Sequence, residues 1–419
     1  MILKGLKCFR EIIRRRGIFD ANEFKDFMEP VFELEGYRGE SKDILIIHDA
    51  GIGDFVNLSS SIRTIRQNFP ESRITLVCDS NTKFLARSCP YVDSIFYNPK
   101  DFDWSDIIEL FDWQIEFVQN LLPVKFDLAF CFCHRIAGIL LAYMSGAKKI
   151  VHYSGTLICS PDNFDIRLVN PLINSRIKID FTRPHIADRY LGMVDGFFQI
   201  VTEDRDLEIW FEPRCIERAR KMLGDFFGKQ IFAIVMSGAS PDKHYPPEKY
   251  AKLAKKISEE FPDARFINLG GKMDFESGEI FAREFGSTDR IMNLAGRTNY
   301  SETAVILSIC SMYIGNDSSV KHVSAALKIP CLEPNCFPRD HELQFDSSPM
   351  MYFPYLVPSV TVMPEKSLPE CIDSTFFRGC QIQNRPHCII QITVEKMFEG
   401  FNLLREKIER NDNLPSFIC

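Results

Sequence analysis

The sequence has no stretch of about 18 uncharged apolar residues, the length a bilayer-spanning helix needs. Its most apolar segment, residues 126–146, is interrupted by Asp127, His134 and Arg135, so no transmembrane segment is expected. A basic surplus is missing too. The formal charge is −7 and the pI near 5.7, which excludes a whole-protein nucleic-acid footprint and leaves only local anion binding. Fourteen cysteines are present without a CxxC pair. No secretory pattern leads the chain, because Arg14, Arg15 and Arg16 interrupt the basic start before an apolar run develops. Scattered thiols and no export signal make a reducing cytoplasm the expected compartment. Disorder is excluded by composition, since 45% of residues are hydrophobic and 26% charged.

What is present begins with an amphipathic start. Ile2, Leu6, Phe9 and Ile13 fall on one helical face, and Lys4, Lys7, Arg10, Arg14 and Arg15 on the others. The favoured reading is a helix packed on its own protein or on a second subunit in a homo-oligomer. The alternative is peripheral contact with anionic lipid at the inner membrane.

From Asp43 the pattern becomes strand, glycine turn, helix, strand. Residues 44–47 are a continuous apolar run, Phe55, Leu58, Ile62 and Ile65 recur at helical spacing up to Phe69-Pro70, and residues 74–77 resume as a strand. A second unit of the same shape opens at residues 231–235, carries a helix on Tyr250, Leu253, Ala254 and Ile257, and ends in Phe261-Pro262, which echoes Phe69-Pro70. Further strands are expected at 127–132, 149–152, 266–269, 291–294, 312–314 and 329–332. The expected fold class is α/β, with two Rossmann-like doubly wound parallel-sheet domains facing across a cleft. The expected divisions are an N-terminal extension over 1–42, a first domain over 43–208 and a second over 209–332. A Cys-containing irregular insertion over 333–391 and a C-terminal helix and tail over 392–419 complete the chain.

Three loops could carry chemistry. In the first, Gly51-Ile52-Gly53-Asp54 lacks the third glycine of a dinucleotide fingerprint, and Asp54 stands where a pyrophosphate would bind, so a carboxylate would repel it. A nicotinamide dehydrogenase is therefore not expected. Asp54 suits a general base for a hydroxyl nucleophile; as structure alone it is a helix cap. The second loop, Ser237-Gly238-Ala239-Ser240-Pro241-Asp242-Lys243, offers backbone amides, hydroxyls and one ammonium, a set that can hold a diphosphate. The third, Gly315-Asn316-Asp317-Ser318-Ser319-Val320-Lys321-His322, opens a helix that Asp317 or Ser318 can cap. Its first-turn amides and hydroxyls make an anion seat, and Lys321 adds charge nearby.

Together with Leu269-Gly270-Gly271 and Asn293-Leu294-Ala295-Gly296, these segments resemble glycosyltransferase family nine, the ADP-heptose glycosyltransferases of GT-B architecture. The likeness covers residues 43–330 and the terminal helix, which in such folds often returns to the first lobe. It implies an inverting transfer of heptose from ADP-heptose to a hydroxyl of the lipopolysaccharide core or of a protein. Asp54 would be the base, and Lys243 with the Ser318/Ser319 helix end would stabilise the leaving diphosphate. Gly53, Ser237, Gly238, Ser240, Gly270, Gly271, Asp317 and His322 would help hold the donor, with Asp274 or Glu276 at the ribose. Ser319 stands where the family commonly has glycine, and Lys321 is unusual before His322. No cofactor is expected for catalysis. Cys336, Cys371, Cys380 and Cys388, near His341 and His387, read first as scattered buried thiols; the alternative, which the resemblance strengthens, is a structural zinc or iron site. A nucleotide-sugar epimerase and a non-catalytic sugar-nucleotide-binding scaffold are the competing functions.

Overall fold

A computed structural model describes residues 41–98, 117–118, 120–121, 123–133, 136–154, 172–178, 180, 182–340, 348–369 and 387–419. The amphipathic start, Cys371, Cys380 and His341 lie outside the described residues. Two compact units divide the chain. One comprises the residues up to Asp180 together with Asp188–Arg205, the other Phe181–Ala187 and everything from Asp206 onward.

In the first unit, β1 (Asp43–His48) lies between β2 (Arg73–Asp79) and β4 (Leu128–Phe132), and the six-stranded sheet runs β3-β2-β1-β4-β5-β6. The remaining strands are β3 (Ser94–Asn98), β5 (Lys149–Ser154) and β6 (Ser175–Lys178), and every pairing is parallel. Ile44, Leu45, Ile46 and Ile47 are fully buried, which explains a continuous apolar run rather than an alternating one: helices cover both faces of a parallel sheet. The helix Ile186–Phe198 brings Tyr190 and Phe197 edge-on to Phe132 and Phe130. The helix expected from Phe55 to Phe69 is two helices, Ile52–Asn57 and Ser59–Asn68. At the break, the Ser59 hydroxyl donates to the Val56 carbonyl at 2.7 Å, giving the backbone a local alternative to its helical bond.

The second unit repeats the plan. Its strands are β7 (Ile231–Val235), β8 (Arg265–Leu269), β9 (Ile291–Asn293), β10 (Met312–Gly315), β11 (Cys331–Pro334), β12 (Ser359–Val362) and β13 (Pro415–Ile418). They are ordered β13-β12-β11-β10-β7-β8-β9, all parallel. Counted from each opening strand, both sheets run 3-2-1-4-5-6, with a seventh strand added to the second. Chain order therefore reverses between β1 and β4 and again between β7 and β10. In an open α/β sheet each such switch point leaves a crevice beyond the carboxyl ends of that sheet's own strands, where ligands bind.

Several expectations need correction. Residues 333–391 are not irregular throughout, because Ser359–Val362 is a buried strand paired on both sides. β11 starts at Cys331 rather than Ile329, since Pro330 has no N–H for a ladder. The terminal helix, Val394–Glu409, belongs to the second unit. It packs on β11, β12 and the helix Pro247–Glu260, joining Met397, Phe401 and Leu404 to the core of the second. Among the described residues no helix is long and apolar enough to cross a membrane.

Candidate active site

The glycine turn that follows β1 starts the Ile52–Asn57 helix, with Gly51 at its N-cap, buried Gly53 behind it and half-buried Asp54 in its first turn. Asp54 is therefore not the N-cap residue. It shares its surroundings with Asp49, Tyr153 and Arg189: burial pushes the Tyr153 phenol up, the Arg189 guanidinium opposes this, and the Asp49 and Asp54 carboxylates reinforce it. Cys133, just past β4, donates its thiol hydrogen toward the Ile47 carbonyl at 3.7 Å, which closes the floor beneath the β1–β4 switch point.

At the corresponding point of the second sheet, the loop after β7 meets the loop after β10. Lys243 sits at the end of the 3-10 turn Pro241–Lys243, whose N-cap is Ser240, and its ammonium donates to Asp317 Oδ2 at 2.5 Å. Asp317 Oδ1 accepts from the Lys321 ammonium at 2.6 Å, and Lys321 also donates to Glu333 Oε2 at 2.8 Å. The remaining Glu333 oxygen accepts from Asn335 Nδ2 at 2.7 Å. Charges thus alternate along four side chains. Lys243 keeps 24% of its side chain exposed, while Lys321 and Glu333 keep 1% and 2%. Asp317's attraction raises the Lys243 ammonium well above its ordinary value, against the cost of burial. Burial disfavours the charge of Asp317, but the two ammoniums override it and hold that carboxyl far below the usual carboxylate range. Lys321, expected to add charge nearby, is enclosed by protein, with its ammonium engaged by two carboxylates.

Asn316 fastens the two loops. Its Nδ2 donates to the Met236 carbonyl at 2.6 Å, while its Oδ1 accepts from the Tyr250 hydroxyl at 2.7 Å and from the Tyr245 backbone N–H at 3.2 Å. Ser237 and Gly238 are thereby held beside residues 316–319, and a side chain at Gly238 would press on Lys243 and His244. Ser318 is the N-cap of the helix Ser319–Ala326, but its hydroxyl does not cap it. It lies 3.3 Å from the Tyr313 hydroxyl. Ser319 Oγ is 2.7 Å from the Tyr300 hydroxyl. The first-turn amides therefore have no hydroxyl from the N-cap folded over them, as an anion site requires. His322 is buried on this helix, edge-on to Tyr352, and burial together with the Lys321 charge keeps its imidazole well below the ordinary value.

A third loop follows β8. The Gly271 N–H donates to Asp274 Oδ2 at 2.6 Å, so this carboxylate closes its own turn. Burial raises Asp274, its Gly271 bond and the nearby His244 oppose this, and its charge in turn reaches Tyr300. Three loops thus converge at the carboxyl ends of β7, β8 and β10. Glu276 is exposed in the first turn of the helix Phe275–Phe285.

The expected metal ligands are only partly described. Cys336 donates to Asp242 Oδ2 at 3.4 Å, and Cys388 Sγ accepts from the Leu368 N–H at 3.3 Å. Both thiols already have protein partners. Among the described residues no group of three or more His, Cys, Asp or Glu side chains is placed to hold a metal ion.

The family model of glycosyltransferase family 9 (heptosyltransferase) matches residues 144–333. Lipooligosaccharide heptosyltransferase 2 of Haemophilus influenzae is 33% identical over 305 residues, which cover 69% of this chain and 82% of that protein. The chain belongs to glycosyltransferase family 9. Lipopolysaccharide heptosyltransferase 2 of Escherichia coli K12 is 21% identical over 296 residues, 68% of this chain and 80% of its own length. Two solved structures share the fold at 18% identity. The family 9 glycosyltransferase of Veillonella parvula has a TM-score of 0.68 over 87% of this chain and 97% of its own. The Escherichia coli ADP-heptose lps heptosyltransferase II has a TM-score of 0.64 over 87% and 99%. This family 9 enzyme accordingly has the two parallel-sheet units of the GT-B fold.

Sequence reasoning named Lys243 and Asp317 as candidates but not their ion pair, and it did not single out Asn316, Tyr300 or Glu333, which bond to the same loops. One signal was available for Glu333. An acidic residue inside the otherwise apolar Cys331-Leu332-Glu333-Pro334 strand needs an internal cation, and Lys321 on the preceding helix supplies it.

Proposed function

We propose that this glycosyltransferase moves a heptose from ADP-heptose to a hydroxyl of the lipopolysaccharide core, with inversion at the anomeric carbon. The observation that carries the reading is the pair of loops at the β7–β10 switch point, which brings the Lys243 ammonium to Asp317, next to the amides at the Ser319–Ala326 helix entrance. The donor and acceptor follow the names of the relatives, which include lipopolysaccharide heptosyltransferases and an ADP-heptose enzyme. Fourteen cysteines and a nucleotide-sugar donor make the cytoplasm the proposed compartment.

In this mechanism Asp54 takes the proton of the acceptor hydroxyl as the oxygen attacks the anomeric carbon and the bond to the diphosphate breaks. Negative charge grows on the departing ADP. Lys243 and the helix entrance interact more strongly with that product-like charge than with the intact donor, so they lower the barrier and not only the donor's KM. Glu276 takes the ribose hydroxyls, because Asp274 is engaged with Gly271. No covalent intermediate and no cofactor enter these steps.

The test is a transfer assay with purified protein, ADP-heptose and a heptose-deficient lipopolysaccharide core. One heptose added per acceptor by mass spectrometry, matched by ADP release, is the expected result. Isomerised donor without acceptor gain would favour an epimerase. Heptose appearing only on protein would move the acceptor class, and no consumption of donor would overturn the reading.

A further inference from the structure

We propose that Lys321 and Glu333 are positioning residues that neutralise Asp317 from inside the protein, so that the Lys243 ammonium keeps its attraction for a donor diphosphate. The inference rests on the donor reading above and concerns side chains that the reading itself does not use.

Asp317 carries a full charge immediately before the helix whose amides form the anion seat, and alone it would cancel Lys243 and repel a phosphate. Its second oxygen is held by Lys321, 2.6 Å away and enclosed by protein. Charging a buried lysine requires a further anion, which Glu333 supplies from β11 at 2.8 Å. Glu333 in turn is fixed by Asn335, whose Oδ1 accepts from the Phe337 N–H at 2.9 Å. The four charges sum to zero, yet their order matters. The positive end, Lys243, reaches the surface of the seat, and the negative end, Glu333, is the member farthest along the bonded chain from it. A diphosphate therefore meets a cation backed by a neutralised carboxylate instead of a closed ion pair. Burial lifts Glu333 and Lys321 opposes this, while Lys321 is itself held protonated by its two carboxylates against burial.

Removing one member alone would leave a buried charge unpartnered and confound folding with function. The informative variant is K321M/E333L, which replaces the inner pair with apolar side chains of similar volume. The measurements are thermal unfolding, ADP affinity by calorimetry, and KM and kcat of transfer. The expected result is a folded protein with unfolding unchanged or raised, ADP affinity weakened about tenfold, and donor KM raised by a similar factor. Acceptor KM should stay as in the unmodified chain. Unchanged ADP affinity and donor KM in the folded double variant would overturn the inference, showing that the pair only fills the core. If the double variant does not fold, K321R with retained unfolding temperature keeps the test open: two carboxylates still face a cation, so ADP affinity within about threefold is expected, and a loss beyond tenfold overturns the inference. Absence of ADP binding by the unmodified protein would instead overturn the donor reading, and this inference with it.

Discussion

Asp54 and Lys243 have opposite charges, and the proposed mechanism gives them separable tasks, so their loss should be told apart by kinetics. Asp54→Asn keeps the size of the side chain and removes its ability to take a proton. It should lower kcat by about 10²–10⁴-fold, the usual contribution of a general base, and leave ADP affinity unchanged. Lys243→Ala should weaken ADP binding by about tenfold or more, because it removes a charge-assisted bond and exposes the diphosphate to Asp317. Stopped assays for kcat and calorimetry for ADP check the pair; a D54N enzyme turning over at the normal rate would remove the base. Both stand out as candidates in the sequence because each follows an apolar strand in a loop rich in glycine or serine. The partners of Lys243 were not, since a pattern of residue types does not say which ammonium is enclosed. Lys321 and Lys243 look alike in sequence and differ in what surrounds them.

At the scale of strands and helices, the continuous apolar runs of β1, β4 and β7 announced a doubly covered parallel sheet before any coordinates. The failures have local causes. A triplet of serines splits a helix whose apolar spacing is intact, and β12 hides in four residues, Ser359-Val360-Thr361-Val362, amid prolines. Gly315 shows how closely the elements of the site approach. It is the last residue of β10, and a Cβ there would lie 2.5 Å from the Val235 carbonyl oxygen at the end of β7. Because that neighbour is backbone, it cannot rotate away. Gly315→Ala should therefore push apart the two strands that carry the Lys243 and Asp317 loops. The expected cost is about 1–3 kcal/mol in urea unfolding, accompanied by weaker ADP binding. Stability equal to the parent within experimental scatter would show that the strands are not in the contact described.

Across the molecule, the echo of Phe69-Pro70 in Phe261-Pro262 revealed a repeated Rossmann plan, but not that Phe181–Ala187 belongs with the second unit while the following residues return to the first. That short segment brings His185 to the second unit. Its Nε2 donates to the Phe353 carbonyl at 2.8 Å, and its Nδ1 accepts from the Ala187 N–H at 3.1 Å. Burial first, then the Lys321 ammonium, hold the His322 imidazole well below its ordinary value, with Asp317 opposing them. An unfolded chain protonates this histidine near pH 6.5, whereas the folded chain does not until the pH is lower. The unfolded state thus binds more protons in that window. Stability from His322 is complete above about pH 6.5 and is lost as pH falls toward the folded value, with a slope of up to about 1.4 kcal/mol per pH unit. Between pH 7.5 and 5.0 Lys243 and Asp317 add almost nothing to this slope, because each is charged there in the folded and the unfolded chain alike. Urea unfolding at pH 7.5, 6.0 and 5.0 should show H322Q losing less stability on acidification than the parent, whatever its absolute stability. Equal slopes for the two proteins would mean that His322 takes up its proton in the folded state as readily as in the unfolded one, contrary to its enclosure beside Lys321.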